Sequence, residues 1–114
     1  MNKNIIKSRE ITYEEIENEF VDRVWNLVDY WKKVEGRTEE EKIEGVVFSI
    51  LTMLDGCSGG VGYVVAPLPH KDDKEFHIET GENYYPENHN SNVKCNISGC
   101  LHEIFSDKGR RKSS

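Results

Sequence analysis

The pattern of hydrophobic and polar positions predicts two amphipathic helices in the first half of the chain. From Thr12 to Val34, hydrophobic residues recur at intervals of three and four, as on one face of a helix. Thr12 and Glu15 have the spacing of a capping box, and Gly36 follows where a left-handed residue commonly ends a helix. The first helix is therefore predicted to begin at Thr12 and to end near Val34.

The second predicted helix carries the most hydrophobic stretch of the chain, from Ile43 to Leu54. Thr38 and Glu41 repeat the capping-box spacing, and Gly56 is predicted to end the helix. Because the link between the two helices is short, they are expected to be antiparallel neighbours. Hydrophobic residues on more than one side of the second helix indicate that more than one of its faces is covered.

The second half of the chain has a different pattern. Glycines within 57–62 permit a tight turn or a close approach of the backbone to something else. Beyond them, three short stretches have the hydrophobic pattern of strands: 63–66, 75–78 and 93–97. A short helix is predicted over 101–105. The predicted fold class is α+β, with an N-terminal antiparallel helical hairpin packed on a small antiparallel sheet and a short C-terminal helix.

Length and charge suggest one domain with an acidic body. The predicted organisation is a flexible lead-in at 1–11, a single domain at 12–107 and a basic disordered tail at 108–114. The net charge is −6, so direct nucleic-acid binding by the body is not expected. The chain shows no pattern of a signal peptide or a membrane span, which predicts a cytoplasmic protein with free thiols and no membrane contact.

Cysteines and histidines provide weak candidates for a zinc site. Cys95 and Cys100 have four residues between them, and His102 follows closely. Structural zinc sites usually combine two closely spaced ligand pairs, and this chain lacks a complete template. No cofactor is therefore predicted, with Cys95, Cys100 and His102 as weak zinc candidates. The alternative is that both cysteines are small core residues.

A second hypothesis is a small metal-dependent hydrolase. Asp55, His70, His77 and His102 are the residue types that act as acids, bases and metal ligands. However, the zinc-protease, serine-hydrolase and phosphate-loop motifs are all incomplete in this chain. No catalytic residue is assigned, and a non-catalytic protein is favoured.

Polar and aromatic residues concentrate in three loops of the second half of the chain. The tyrosines of the sequence Gly-Glu-Asn-Tyr-Tyr-Pro at 81–86 lower solubility unless they pack or bind. Alternatively, they only cover the core from outside. If the three loops converge in space, they form a site for a small polar ligand. The candidate ligand-binding residues are Asp55, Ser58, His70, Asp73, His77, Glu82, Asn83, Tyr85 and His102.

Five short motifs lie between about residues 38 and 105: LDG at 54–56, PLPH at 67–70, DDKEFH at 72–77, GENYYP at 81–86 and LHE at 101–103. Together they resemble those of a family of small uncharacterised phage and bacterial proteins. The resemblance implies a phage-encoded accessory or anti-defence protein. The predicted function is therefore non-catalytic binding of a host protein or of a small signalling ligand. Besides the hydrolase, a dimerisation or interaction module is an alternative, because the second helix is unusually hydrophobic.

Overall fold

The fold consists of helices. The computed structural model describes residues 8–86 and 93–113, with side chains up to Arg110 in the last segment. Within these ranges there is no β-strand, so the predicted α+β class and its antiparallel sheet are wrong. The helices are α1 (Tyr13–Lys33), α2 (Glu39–Leu54), α3 (Asp73–Thr80) and α4 (Leu101–Ser113).

α1 begins with the predicted capping box. The backbone N–H of Glu15 donates to Thr12 Oγ1 at 3.2 Å, and the N–H of Thr12 donates to Glu15 Oε1 at 2.9 Å. The guanidinium of Arg9 donates to both carboxylate oxygens of Glu15, each at 2.8 Å. These contacts satisfy backbone donors that have no partner within the helix. The first predicted helix is confirmed.

The Arg9–Glu15–Thr12 contacts lower the pKa of Glu15 to about 2, chiefly through the hydrogen bonds from the Arg9 guanidinium. Because a carboxyl in the unfolded chain titrates near pH ~4.3, the stabilisation from ionised Glu15 is present above that pH. It is lost as the pH falls towards about 2. We expect an NMR titration of the Glu15 carboxyl to give a midpoint near 2, and Arg9→Gln to raise it. A wild-type midpoint near the ordinary value would contradict these contacts.

α2 begins with a second capping box. The N–H of Glu41 donates to Thr38 Oγ1 at 3.1 Å, and the N–H of Thr38 donates to Glu41 Oε1 at 2.9 Å. After Leu54, the chain leaves the helix through Gly56, whose φ of 79° lies in the left-handed region that glycine adopts readily. The second predicted helix is therefore also confirmed.

The segment 75–78 lies in α3, although its alternation predicted a strand. Gly81 has a φ of 74°, and the N–H of Glu82 donates to the carbonyl of His77 at 2.8 Å. This left-handed ending closes a short helix whose first turn carries Asp73 and Glu75, where acids are favourable. Four alternating residues are too few to distinguish a strand from one turn of helix.

The other two predicted strands, 63–66 and 93–97, have no regular secondary structure. Val64 and Val65 are exposed, and Pro67 and Pro69 follow them without a backbone N–H to donate. A strand is stable only when a neighbouring strand pairs with its backbone groups. The described residues offer no such neighbour, so the β-type composition of these segments does not produce a sheet.

The chain divides into two compact units, Met1–Val46 with Ile97–Ser114 and Val47–Asn96. In the first unit, α1 packs along α4. The ring of Trp25 stacks on Phe105 with 4.2 Å between ring centroids, and Trp25 Nε1 donates to the Phe105 carbonyl at 2.9 Å. A Cβ on Gly109 would lie 2.5 Å from the Trp25 ring, so glycine leaves the space that this ring occupies. Lys108 pairs with Asp22 at 2.9 Å.

α1 meets the first half of α2 near the link between them. A Cβ on Gly45 would lie 2.6 Å from the Trp31 ring, and Lys42 Nζ donates to the carbonyl of Lys32 at 3.4 Å. In place of the predicted hairpin on a sheet, α1 therefore packs along α4 and has a local contact with α2.

α4 runs to Ser113, well past the predicted end of the C-terminal helix at 105. It thereby includes most of the segment 108–114 that was predicted to be a tail. The predicted domain bounds of 12–107 stay a prediction. Of the predicted lead-in, residues 1–7 lie outside the described part of the chain.

The second unit has few buried side chains. Among its described residues, 47–86 and 93–96, Met53 is the one buried hydrophobic residue. Many of its large hydrophobic side chains are exposed: Val47, Phe48, Leu51, Val61, Val64, Val65, Leu68, Phe76, Ile78, Tyr84 and Tyr85. A unit that leaves so many hydrophobic side chains in water gains stability when another surface covers them.

Candidate functional site

The glycine-rich loop after α2 closes on itself. The N–H of Tyr63 donates to the carbonyl of Leu54 at 2.9 Å, which joins the two ends of the loop. Gly56 and Gly62 lie so close that a Cβ on Gly62 would be 2.9 Å from the Gly56 backbone. Of the two alternatives, the structure shows a turn, in which the loop's own backbone segments approach each other. Asp55 and Ser58, both predicted site residues, are exposed in this loop.

The turn before α3 holds two of the predicted site residues together. The N–H of His70 donates to Asp73 Oδ2 at 2.9 Å, and the N–H of Asp73 donates to the carbonyl of His70 at 3.1 Å. The Asp73 carboxylate therefore stabilises the chain's entry into α3. His70 is exposed on this turn.

His77 lies half-buried on α3, beside the ring of Phe76 at 5.8 Å between centroids. Its Nδ1 is buried and has no hydrogen-bond partner among the described residues. The backbone carbonyl of His77 accepts hydrogen bonds from Glu82 and Thr80, which end the helix. Among the candidate residues that the structure describes, His77 has a buried side-chain nitrogen without a hydrogen-bond partner.

The loop 81–86 follows α3 directly. Glu82 Oε1 accepts a hydrogen bond from Thr80 Oγ1 at 3.0 Å, and Lys74 Nζ lies 5.4 Å from the centre of the Tyr84 ring. Asn83 and Tyr85 are exposed. Tyr84 and Tyr85 therefore do not belong to a buried core, and the Tyr84 ring has a weak cation–π contact with α3.

The structure joins His70 to Asp73 but gives no evidence that all the predicted site residues converge. The contacts described for His70, Asp73, His77 and Glu82 are with residues at most five positions away. His102 is exposed on α4, with its Nε2 3.8 Å from Glu103 Oε1, and belongs to the other compact unit. The nine-residue site for a polar ligand stays a prediction.

Among the described residues, no group of three or more His, Cys, Asp or Glu side chains is placed to hold a metal ion. Cys57, Cys95 and Cys100 are exposed free thiols. The interpretation of Cys95 and Cys100 as core residues is therefore wrong. Their role as zinc ligands with His102, and the metal-dependent hydrolase, gain no support from this arrangement.

An open surface depression of about 530 Å³ lies along the N-terminal half of α1. Acidic side chains dominate its lining: Glu14, Glu15, Glu19 and Asp22, with Arg23 as the base. Small-molecule sites are usually enclosed and mainly apolar, with a few polar groups. This polar, acidic concavity does not fit a site for an anionic signalling ligand, since its carboxylates would repel one.

The largest unexpected feature is on α2. Ile43 is 66% exposed, Val47 53%, Phe48 71% and Leu51 54%. Residues at this spacing lie on one side of a helix, and we call these four residues the α2 face. Other sides of α2 carry Gly45, which contacts Trp31, and Met53, which is 1% exposed. The sequence indicated a helix covered on several sides, whereas this side of it is open to solvent.

Comparisons of the chain with protein-family models, with curated proteins and with solved structures found no match. The resemblance to small phage and bacterial proteins stays a prediction. None of the helices in the described ranges is long and apolar enough to cross a membrane.

Proposed function

We propose that the chain is a non-catalytic protein-binding module that contacts its partner through the α2 face. The observation that carries this proposal is the exposure of four large hydrophobic side chains side by side on one helix. With ~200 Å² for a fully exposed large side chain, their exposed fractions correspond to on the order of 500 Å². Patches of roughly 300–600 Å² are the largest that monomers typically expose, and they are often binding surfaces.

The small number of buried side chains in the second unit supports the same function. Phe48 and Leu51 belong to this unit, where Met53 is the one buried hydrophobic residue among those described. Removing apolar surface from water contributes a favourable free energy of roughly 25 cal/mol per Å². A partner that covers the α2 face therefore stabilises this unit, which has few buried side chains of its own. A protein partner offers a surface large enough to cover it, whereas a small polar ligand does not.

The predicted polar residues give weaker support for a ligand site or for catalysis. The Asp73 carboxylate accepts from the His70 backbone, and the Glu82 carboxylate accepts from Thr80. Groups that complete local turns in this way are less available for a ligand or a metal. The exposed α2 face therefore agrees better with binding of a protein than with sequestration of a small signalling ligand.

Photochemical cross-linking tests this function. In cells that produce the full chain, Phe48→p-benzoylphenylalanine places a reactive group on the α2 face at its most exposed position. Irradiation is expected to give a covalent adduct with another polypeptide, detected by denaturing gel and mass spectrometry. The control is the same substitution at Glu79, an exposed polar position on α3. Absence of an adduct at position 48, or equal yields at both positions, would contradict protein binding through this face.

A further inference from the structure

We infer that the partner of the α2 face is a second copy of this chain, bound as a symmetric dimer with the two α2 helices antiparallel. This inference rests on the proposed function and names its partner. In a twofold dimer the same patch meets itself, so the patch must be complementary to its own copy. Val47 and Leu51 are one helical turn apart, which allows Val47 of each copy to pack on Leu51 of the other.

The exposed area reaches the lower limit for such a dimer. Each α2 face exposes on the order of 500 Å², so two faces bury at most about 1,000 Å² when they meet. Specific interfaces need at least about that area, and those of ordinary stable complexes are larger. Phe48 is the largest and most exposed of the four side chains and thus supplies the aromatic anchor that interfaces commonly use. An area at this limit is typical of a weak dimer.

The distribution of charge on α2 selects the antiparallel orientation. Four acids, Glu39, Glu40, Glu41 and Glu44, and one base, Lys42, lie in its N-terminal part, and residues 45–54 contain no charged side chain. A parallel pair would place the acids of both copies side by side. The 16 residues of α2 correspond to about 24 Å of helix. An antiparallel pair separates the two acidic ends by more than the screening length of about 8 Å in physiological salt.

The dimer is tested by measuring mass over a range of protein concentrations with light scattering or sedimentation. The chain has a mass of 13.2 kDa, and the wild type is expected to approach twice that value as its concentration rises. Leu51→Glu places a carboxylate in the α2 face and should raise the dimer dissociation constant at least thirtyfold. An increase of about that size is typical when a hot-spot residue of an interface is truncated. Ile78→Glu is the matched control, since Ile78 is 53% exposed against 54% for Leu51 but lies on α3.

The control variant should retain the wild-type dissociation constant. Circular dichroism of both variants checks that the helices persist, which is expected because both side chains are exposed. A wild type that remains a monomer at high micromolar concentration overturns the inference. An equal effect of Leu51→Glu and Ile78→Glu also overturns it.

Disulfide cross-linking tests the orientation. In chains whose three native cysteines are replaced by serine, Val47→Cys mixed with Leu51→Cys should form a mixed disulfide dimer on mild oxidation. Glu40→Cys alone should form little, because antiparallel helices keep the two copies of position 40 apart. Efficient cross-linking of Glu40→Cys with itself would show a parallel pair and overturn the stated geometry.

The cross-linker at position 48 separates failure of this inference from failure of the proposed function. An adduct of two copies agrees with both. An adduct with a different protein, together with a monomeric chain in solution, overturns the dimer and leaves the protein-binding function standing. A monomeric chain that gives no adduct overturns both.

Discussion

Replacing Trp25 by alanine is expected to lower the free energy of unfolding by about 3 kcal/mol. The Trp25 ring stacks on Phe105, lies over Gly109 and donates a hydrogen bond from Nε1 to the Phe105 carbonyl. Alanine removes the stacking, leaves a gap at the α1–α4 contact and leaves a carbonyl without its donor. Denaturant unfolding followed by circular dichroism at 222 nm measures the change.

Two variants separate the contributions of the ring and of its nitrogen. Trp25→Phe retains an aromatic ring but loses the Nε1 donor, so a smaller loss of about 1–2 kcal/mol is expected. Tyr30→Ala on the same helix removes a ring that is 62% exposed and makes an edge contact with Trp31, and it should cost less than about 1 kcal/mol. If Trp25→Ala costs no more than Tyr30→Ala, the α1–α4 contact does not contribute as the structure indicates.

The first two helices could be predicted from the sequence because the signals that start them are local. Thr12 with Glu15, and Thr38 with Glu41, form their hydrogen bonds within a single turn. Such contacts need no information about the rest of the fold. The turn at the glycines after α2 was also predictable, since several glycines in a short stretch indicate a turn or a close approach. Which backbone groups meet in it was not.

The sheet was predicted wrongly because strands depend on partners that sequence patterns do not identify. The composition of 63–66 suits a strand, yet stability requires backbone pairing with a distant segment. For 75–78, the local signals that decide the outcome are the acids at the start of α3 and Gly81 at its end. Those signals are present in the sequence, and they outweigh the alternation of only four residues.

The contact between α1 and α4 was missed for a related reason. Trp25 is not among the hydrophobic positions from which the first helix was predicted, which are Tyr13, Ile16, Phe20, Val24, Leu27, Val28, Trp31 and Val34. Gly109 falls in the segment predicted to be a disordered tail. Phe105 and Gly109 are four residues apart, the spacing that places both on one side of a helix beneath a large ring. The signal available in the sequence was a glycine, Gly109, four residues after an aromatic residue, Phe105, in a chain that also contains Trp25.

For the candidate site, the sequence identified residue types but not their grouping. His70 and Asp73 are joined because they are neighbours in one turn. The α2 face was present in the sequence only as an excess of hydrophobic residues on the second helix. Whether such residues are covered depends on tertiary packing, which the sequence pattern does not show. The pattern therefore led to the expectation that Phe48 and Leu51 are covered, whereas both are exposed.

Replacing Gly62 by alanine is expected to lower the free energy of unfolding by about 2 kcal/mol. The new Cβ would lie 2.9 Å from the Gly56 backbone and 3.0 Å from the Leu54 carbonyl oxygen. That oxygen accepts the hydrogen bond from the Tyr63 N–H, so making room for the Cβ disturbs the bond that closes the loop. Denaturant unfolding measures the loss, and amide hydrogen exchange at Tyr63 reports directly on the bond.

Gly59→Ala in the same loop is the matched control. Gly59 has a φ of 84°, and nothing lies within 4 Å of the Cβ that alanine would add. This variant therefore carries only the strain of a left-handed alanine, about 1 kcal/mol, and should keep the Tyr63 amide protected. Loss of protection in Gly62→Ala alone would show that close approach of the backbone, rather than glycine content, requires Gly62. Equal protection in both variants would contradict the prediction, because Gly62→Ala would then leave the hydrogen bond between Tyr63 and Leu54 intact.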